Sequence, residues 1–317
     1  MTNILLIGGA GFIGTSLAKR FLQDKDYKTF VLEPECANLD RLDAYAKLIS
    51  IIQGDLRDSA KVLKVLVEND INIVFHLVST MIPGSSLPHF QNEMDDILMP
   101  SMNLMELCAE KNIKFVYFSS GGTVYGNSTS AEHKESDDRE PISYYGLSKD
   151  LMEDIILFEH RHSNLNYLIL RPSNPYGPGQ NIYGRQGLIA VLIGKILKNA
   201  PLHVWGDGNS VRDYIYIDDL ADAIYQLIDK KISCETVNIG SGVGYSVNEI
   251  IRILDSIINK EMKVEYVENR GVDVDSMILD CTKLKKMIDF HSIDIETGIR
   301  KFVETIKKAR IFMVNKG

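Results

Sequence analysis

Cysteine is scarce in this sequence and follows no regular spacing. Cys36, Cys108, Cys234 and Cys281 are scattered over 317 residues, without a CxxC pair. Zinc sites and disulfide frameworks both depend on closely or regularly spaced cysteines, so we expect neither of them. The same pattern favours a reducing compartment. We therefore expect a cytoplasmic protein without a bound metal.

Long apolar runs and basic blocks are also lacking. The longest uncharged apolar run covers residues 187–194, whereas a membrane-spanning helix needs ~20 residues. The N-terminal apolar run, residues 4–7, is too short for a signal peptide. Acidic residues outnumber basic residues by 43 to 35, whereas nucleic-acid-binding proteins usually show the opposite balance. We expect neither a membrane nor nucleic acid as a partner.

The remaining composition is that of a globular α/β protein. Hydrophobic residues make up 45% and charged residues 25% of the chain, which are average values. Short β-branched runs alternate with helical patterns up to about residue 171, and this alternation predicts a doubly wound parallel sheet covered by helices on both faces. Predicted strands cover residues 3–7, 29–32, 49–52, 73–77, 115–119 and 167–170. Predicted helices cover residues 12–21, 62–67, 94–109, 145–158, 188–198, 220–227, 247–258 and 295–308.

Three glycines stand between the first predicted strand and the first predicted helix. Gly8, Gly11 and Gly14 follow the spacing GxxGxxG. In a strand–turn–helix unit, such glycines allow a tight turn, a close approach of phosphate and close helix–strand packing, in that order. The pattern predicts a Rossmann-type dinucleotide-binding domain over residues 1–171, to which a later strand and helix return. Residues 172–317 are then mainly a smaller α/β lobe for the substrate.

An acidic residue ends the second predicted strand. Glu33 lies 19 residues after Gly14, where a carboxylate accepts hydrogen bonds from the adenosine ribose and repels a 2′-phosphate. This position favours NAD over NADP. Asp55, after the third predicted strand, is placed to bond the adenine amine, and its neighbour Asp58 is a helix N-cap candidate.

Tyr145 and Lys149 form a YxxxK pair at the start of a predicted helix. Residues four apart share one helix face, and an ammonium beside a phenol favours the phenolate. We therefore expect Lys149 to lower the pKa of Tyr145 from ~10 towards ~7. Tyr145 would then act as a general base that takes a proton from a sugar hydroxyl.

Together these residues resemble a known family. The segments at 8–14, 55–58, 74–77, 119–126, 145–149 and 170–177 are similar to those of the extended short-chain dehydrogenases/reductases, and within that group to the UDP-galactose 4-epimerases and related nucleotide-sugar epimerases. The resemblance runs from residue 3 to about residue 302. It implies NAD as the cofactor and a homodimer formed by a four-helix bundle from the helices at 94–109 and 151–158. It further implies cofactor contacts from Phe12, Ile13, Leu56, Leu77, Val78, Ser119 and Pro172.

The resemblance also implies a nucleotide-sugar site in the second half of the chain. Two forked guanidinium groups suit a diphosphate well. Met277 matches a position that acts as a gate beside the C2 substituent of the sugar, and its size and flexibility predict tolerance of both plain and N-acetylated sugars. The implied substrate contacts are Asn174 and Arg212 with the diphosphate, Arg270 as a second phosphate ligand, Asp273 near the ribose and Trp205 in the pyrimidine pocket.

Two departures from the family pattern affect the site. The family has a Ser or Thr four residues before the tyrosine of VYG, and Gly121 stands there in this sequence. Thr123 or Ser120 could supply the missing hydroxyl; we favour Thr123 as the catalytic hydroxyl and Ser120 as a substrate contact. The family asparagine of NVxGT is replaced by Ile97, and Asn92 is a candidate substitute.

Three functions remain open from the sequence. A sugar 4,6-dehydratase is disfavoured, because the Asp–Glu pair of the dehydratases in this superfamily is replaced by Gly122 and Thr123. A nucleotide-sugar 4-epimerase acting on a UDP-hexose or UDP-N-acetylhexosamine is favoured. A 4-ketoreductase of a dTDP-4-keto-6-deoxy sugar needs the same residues, and a non-catalytic NAD-binding sensor is a remote third interpretation that an intact Tyr145–Lys149 pair disfavours.

Overall fold

A twisted parallel sheet organises the computed structural model, which describes residues 1–127, 132–260, 262–268 and 275–314, with side chains up to residue 308. Its strands in this part of the chain are β1 (Thr2–Ile7), β2 (Tyr27–Glu33), β3 (Ser50–Gln53), β4 (Ile73–His76), β5 (Lys114–Phe118), β6 (Tyr167–Pro172) and β10 (Glu235–Ile239). Their order in the sheet is β10-β6-β5-β4-β1-β2-β3. All neighbouring strands run parallel.

The strand order reverses direction between β1 and β4. In open α/β sheets, the carboxyl ends of the strands at this switch point flank a crevice where ligands bind. The Gly8 turn follows β1, and Leu77 and Val78 follow β4. The topology therefore places both segments at the same crevice, which confirms the predicted doubly wound class.

Helices cover both faces of the sheet, and their ends follow local sequence signals. Asp58 caps the second helix by accepting a hydrogen bond from the Lys61 N–H, as predicted. Ser143 accepts one from the Gly146 N–H at the start of the fifth. The helices are α1 (Phe12–Phe21), α2 (Ser59–Glu68), α3 (Leu87–Glu93), α4 (Met99–Glu110), α5 (Tyr144–Ser163), α6 (Leu188–Lys198), α7 (Ile217–Asp229), α8 (Val247–Ile258), α9 (Thr282–Met287) and α10 (Ile295–Val314).

The helix predicted over residues 94–109 differs from the observed one. Helix α3 begins at Leu87, and a π-helical turn, Met94–Leu98, joins it to α4. The apolar periodicity that identified the helix starts only after α3, because α3 is polar and half exposed. A π-helical turn inserts one residue into the helical register, and such turns are frequent at functional sites.

The second lobe consists of two small sheets packed on helices. Strand β9 (Val211–Tyr216) lies between β11 (Gly244–Ser246) and β13 (Ser276–Met277), and it also pairs with β7 (Asn174–Tyr176). Strand β8 (Leu202–Trp205) pairs with β12 (Val264–Val267). A separate apolar cluster, which includes Ile193, Ile250 and Phe302, packs this lobe.

The sheet core has one apolar cluster on each face, as expected for strands that are buried on both sides. Within the described ranges, no helix is long and apolar enough to cross a membrane. The same part of the chain holds no group of three or more His, Cys, Asp or Glu residues arranged to bind a metal ion.

Candidate active site

The glycine turn after β1 has the backbone geometry that its sequence predicts. Gly8 has a φ of +81°, in the left-handed region, and a Cβ there would lie 2.7 Å from Val78 Cγ1. A Cβ on Gly14 would lie 2.5 Å from the Cα of Gly9, so helix and turn are in backbone contact. Both positions require glycine, the first for its conformation and the second for its size.

The first turn of α1 is open to an anion. Gly11 is its N-cap and provides no side-chain cap, and the first turn contains no acidic residue. Its N–H groups therefore point to the crevice, where a helix N-terminus attracts negative charge. A pyrophosphate fits these residues. Phe12 and Ile13, also predicted as cofactor contacts, are half-buried in the same turn.

Glu33 lies against the glycine turn. Its Oε1 accepts a hydrogen bond of 2.6 Å from the Ala10 N–H, and burial raises the pKa of its carboxyl group. The side chain is therefore held at the crevice, where a ribose contact is expected. Asp55 is engaged elsewhere: its carboxylate bonds the backbone and guanidinium of Arg57. The predicted adenine contact of Asp55 therefore competes with an existing ion pair.

Tyr145 occupies the first turn of α5 and faces the carboxyl end of β5. Burial raises the pKa of Tyr145 to about 12, and the nearby Ser120 hydroxyl opposes this by lowering it. The predicted lowering was wrong for the protein without ligand, because desolvation of the phenolate outweighs the effect of this hydroxyl.

Lys149 lies against the backbone of β5 and over the Tyr145 ring. Its Nζ donates a 2.8 Å hydrogen bond to the Phe118 carbonyl and lies 5.7 Å from the centroid of the Tyr145 ring. Burial lowers the pKa of Lys149 to about 8, partly offset by the charges of Glu93 and Glu153. The helix spacing therefore brings the pair together, as predicted.

Gly121 has no room for the hydroxyl that the family places there. A Cβ at this position would lie 2.6 Å from Leu279 Cδ1 and 2.9 Å from the Arg171 carbonyl oxygen. Ser120 is the hydroxyl that acts on the pKa of Tyr145. Thr123, which we favoured, has its Oγ1 buried without a partner among the described residues. The choice between the two hydroxyls therefore stays a prediction.

A buried charged cluster behind Tyr145 was not found from the sequence. Glu153, fully buried one helical turn after Lys149, accepts hydrogen bonds from the Arg171 guanidinium, one of them 2.6 Å long. It also accepts one from the Ser119 hydroxyl. This hydroxyl is therefore not directed to a cofactor, in contrast to the contact predicted for Ser119. The signal was the spacing of Tyr145, Lys149 and Glu153, which places all three on one helix face.

A second buried carboxylate, Glu93, also escaped the sequence interpretation. It is 2% exposed at the end of α3 and accepts hydrogen bonds from Ser79 and Thr80. The candidate Asn92, by contrast, is exposed on α3.

A cleft of about 270 Å³ adjoins this centre. Asn174, Trp205 and Arg212, predicted from separate segments, all line it. The Asn174 Nδ2 donates a hydrogen bond of 2.8 Å to the backbone carbonyl of Asp213. A Cβ on Gly122 would lie 3.7 Å from Asn174 Oδ1 and 3.9 Å from Ser120 Oγ, so the cleft meets the Tyr145 centre at this glycine.

Three other residues predicted to contact the substrate are not among the described residues that line this cleft. Arg270 and Asp273 lie outside the described residues. Met277 is 1% exposed and belongs to the same core cluster as Leu279. The structure thus corrects the gate assignment of Met277, because a side chain packed in this core does not form an open pocket wall.

Comparison with known proteins agrees with this geometry. Residues 4–240 match the model of the NAD dependent epimerase/dehydratase family. A putative UDP-glucose 4-epimerase of Methanocaldococcus jannaschii is 32% identical over 96% of this chain and 98% of its own length. This chain belongs to the NAD dependent epimerase/dehydratase family.

Other relatives show the range of the family. A dTDP-4-dehydro-6-deoxyglucose reductase of Escherichia coli is 30% identical and covers 96% of this chain and 98% of the relative. The crystal structure of UDP-glucose 4-epimerase with UDP-glucose from Thermotoga maritima is 29% identical, with a TM-score of 0.90 over 97% of this chain and 99% of that one.

NAD is the cofactor of the family, and the crevice fits it. The turn at Gly8 and the open start of α1 would hold the pyrophosphate, with Glu33 directed to the ribose. The remaining predicted cofactor contacts lie at or after the carboxyl ends of β3, β4 and β6: Leu56 and Pro172 are buried, and Leu77 and Val78 are half-buried.

Proposed function

We propose that this protein is a nucleotide-sugar 4-epimerase that acts through a transient 4-keto sugar. The observation that supports it best is that Asn174, which lines the same cleft as Arg212, lies beside Gly122 and Ser120, next to Tyr145. A sugar joined to a diphosphate in that cleft would reach the phenol oxygen. The similarity to the putative UDP-glucose 4-epimerase of Methanocaldococcus jannaschii supports the same reaction.

Tyr145, Ser120 and Lys149 have separate roles in the proposed reaction. NAD held by the Gly8 turn and Glu33 would supply the hydride chemistry, both the removal of hydride from C4 of the sugar and its return to the opposite face. The O–H bond at C4 breaks as the C4–O double bond forms, and Tyr145, as phenolate, accepts that proton. Ser120 donates a hydrogen bond to the reacting oxygen. The ammonium of Lys149 supplies positive charge that favours the phenolate, opposing the desolvation that raises the Tyr145 pKa.

Nucleotide recognition is assigned to the adjoining cleft. Arg212 and Asn174 are proposed to hold the diphosphate, and Trp205, which is 43% exposed, to contact the base. Arg270 and Asp273 are proposed as phosphate and ribose ligands on the resemblance alone. An arginine fork matches phosphate oxygens in pairs.

A 4-ketoreductase of a dTDP-4-keto-6-deoxy sugar is the second candidate. The 30% identity to the Escherichia coli reductase favours it. This reaction uses the same proton donor but consumes one reduced cofactor per turnover. The two functions therefore differ in whether added NADH is required.

One assay distinguishes the candidates. Purified protein is incubated with UDP-glucose, with UDP-N-acetylglucosamine, or with a dTDP-4-keto-6-deoxy sugar plus NADH, and the products are identified. We expect the C4 epimers of the UDP sugars without added NADH. NADH-dependent reduction of the keto sugar, without epimerisation, would favour the reductase, and no conversion of any substrate would contradict both.

We also propose a cytoplasmic homodimer of two-lobed subunits that acts in carbohydrate metabolism, such as polysaccharide biosynthesis. Met99 on α4 and Phe158 on α5 are 54% and 48% exposed, which suits an apolar face covered by a second copy. Light scattering during gel filtration should give twice the mass of the chain. The Phe158→Glu variant should then elute as a monomer, and a wild-type monomer would contradict the proposed dimer.

A further inference from the structure

Glu93 is a buried carboxylate whose hydrogen bonds come only from donors. Its Oε1 accepts a hydrogen bond of 2.8 Å from the Ser79 hydroxyl. Its Oε2 accepts hydrogen bonds of 2.8 Å from the Thr80 N–H and 2.6 Å from the Thr80 hydroxyl. An ionised carboxylate only accepts hydrogen bonds, and the Thr80 N–H can only donate one. The arrangement therefore suits a buried carboxylate.

The turn that Glu93 holds belongs to the crevice. Ser79 and Thr80 follow Leu77 and Val78 at the end of β4, and Val78 lies against the position where a Gly8 Cβ would be. Glu93 thus links the last turn of α3 to a wall of the crevice. The π-helical turn Met94–Leu98 starts at the next residue and sets the rotation at which α3 presents Glu93.

Helix α3 packs against the start of α5, where the ring centroids of Phe90 and Tyr144 lie 5.6 Å apart. Glu93 is one helical turn after Phe90, so its charge acts on both members of the Tyr145–Lys149 pair. It raises the pKa of Tyr145, where burial dominates, and the pKa of Lys149, where it opposes the lowering by burial. The other charged group that acts on Lys149 is Glu153 on α5, which is itself paired with Arg171.

Two further titratable groups line this centre on the sheet side. His76 on β4 is held neutral, because burial and the charge of Lys149 lower its pKa to about 3. Tyr117 on β5 has a pKa well above 10, chiefly through burial, with a contribution from Glu93. Neither group changes its charge between pH 5 and pH 9, so Glu93 and Glu153 are the negative charges that oppose Lys149.

We propose that Glu93 is a positioning residue for the Tyr145–Lys149 pair, because it fixes the Ser79–Thr80 turn at the crevice and places its carboxylate at the end of the helix that packs against the first turn of α5. The catalytic part of this inference rests on the proposed epimerase function. The structural part, the effect on Lys149, does not.

The central test is the Glu93→Gln variant, which keeps the shape and removes the charge. Loss of a nearby negative charge favours proton loss from both Tyr145 and Lys149, so it should lower the pKa of each group. Both limbs of the pH profile of kcat/KM should therefore move to lower pH, by on the order of one unit for a single charge at an effective dielectric of ~20. The ¹³Cε signal of Lys149 in lysine-labelled protein, assigned with Lys149→Met, should titrate at a pH lower by a similar amount.

Matched controls separate charge from packing. Glu159, another buried carboxylate of α5, bonds Ser163 and acts on neither member of the pair. Glu159→Gln should leave the profile and the Lys149 signal in place. Thr80→Val retains the Glu93 charge but removes one donor, so it should lower kcat without moving the profile. If Glu93→Gln does not fold, Glu93→Asp tests the same point and should keep the wild-type midpoint with reduced kcat.

The outcomes are distinguishable. A folded Glu93→Gln with an unchanged Lys149 midpoint overturns the proposal, as does an equal shift in Glu159→Gln. A shift in Thr80→Val as large as that in Glu93→Gln overturns the role of charge, and an unchanged kcat in Glu93→Asp overturns the positioning role. Wild-type protein that converts no nucleotide sugar contradicts the proposed function, while the Lys149 signal still decides the effect of Glu93.

Discussion

The glycine turn and the Tyr145 centre lie at the same edge of the sheet but are built in different ways. The turn is made of backbone from consecutive residues, and Gly8 and Gly14 have the conformation and the contacts that their spacing predicts. The Tyr145 centre combines side chains from β5, α5 and α3. There the spacing identified the pair but not its electrostatics. Local geometry follows from local sequence, whereas a pKa depends on everything that surrounds the group.

The largest expected effect is at Tyr145. Tyr145→Phe removes only the proton-transfer group, so turnover should fall by roughly 10³ to 10⁴. NAD content and the melting temperature should stay at the wild-type values, since the glycine turn is separate. The measurement is steady-state epimerisation of UDP-glucose, with bound NAD released and quantified. Equal activity of wild type and variant would refute the role of this phenol.

Ser120 provides the next test of the same centre. Ser120→Ala removes the hydroxyl that acts on Tyr145 and should reduce kcat by about 10², the typical effect of losing one donor at a developing oxyanion. Thr123→Val is the matched control and should change kcat much less, because its hydroxyl has no partner among the described residues. A larger loss in Thr123→Val than in Ser120→Ala would instead identify Thr123 as the catalytic hydroxyl.

A substitution at Met277 tests whether this buried residue acts as the gate beside the C2 substituent of the sugar. Met277→Tyr should destabilise the protein by ~1–3 kcal/mol through overpacking and should affect plain and N-acetylated sugars alike. Chemical denaturation and the two substrate assays measure these effects. A selective loss of the N-acetylated substrate, with unchanged stability, would instead support the gate.

The smallest expected effect concerns cofactor choice at the glycine turn. The wild type should bind NAD more tightly than NADP, because the Glu33 carboxylate repels a 2′-phosphate. Glu33→Gln should narrow this ratio by about tenfold, or ~1.4 kcal/mol. Titration with both cofactors gives the ratio. A wild-type preference for NADP would show that Glu33, although held by the Ala10 N–H, does not face the ribose.

Much of the fold and part of the site were predictable. Helices α1, α6 and α8 begin and end where their apolar periodicity predicts, and Asp58 caps α2. The start of α3 was not predicted, because its polar sequence lacks that periodicity. Asn174, Trp205 and Arg212, which are far apart along the chain, line one cleft as the resemblance implied.

By itself, the sequence determined the parallel sheet, the dinucleotide crevice and the Tyr145–Lys149 pair, because each depends on spacing within one strand, turn or helix. Only the tertiary structure decided that Leu279 fills the space beside Gly121, that the Ser120 hydroxyl acts on Tyr145, and that Met277 is in the core. It alone joined Glu93 to Ser79 and Thr80, and Glu153 to Arg171. Burial and contacts between distant segments control these features, since desolvation and steric exclusion arise only when the chain has packed.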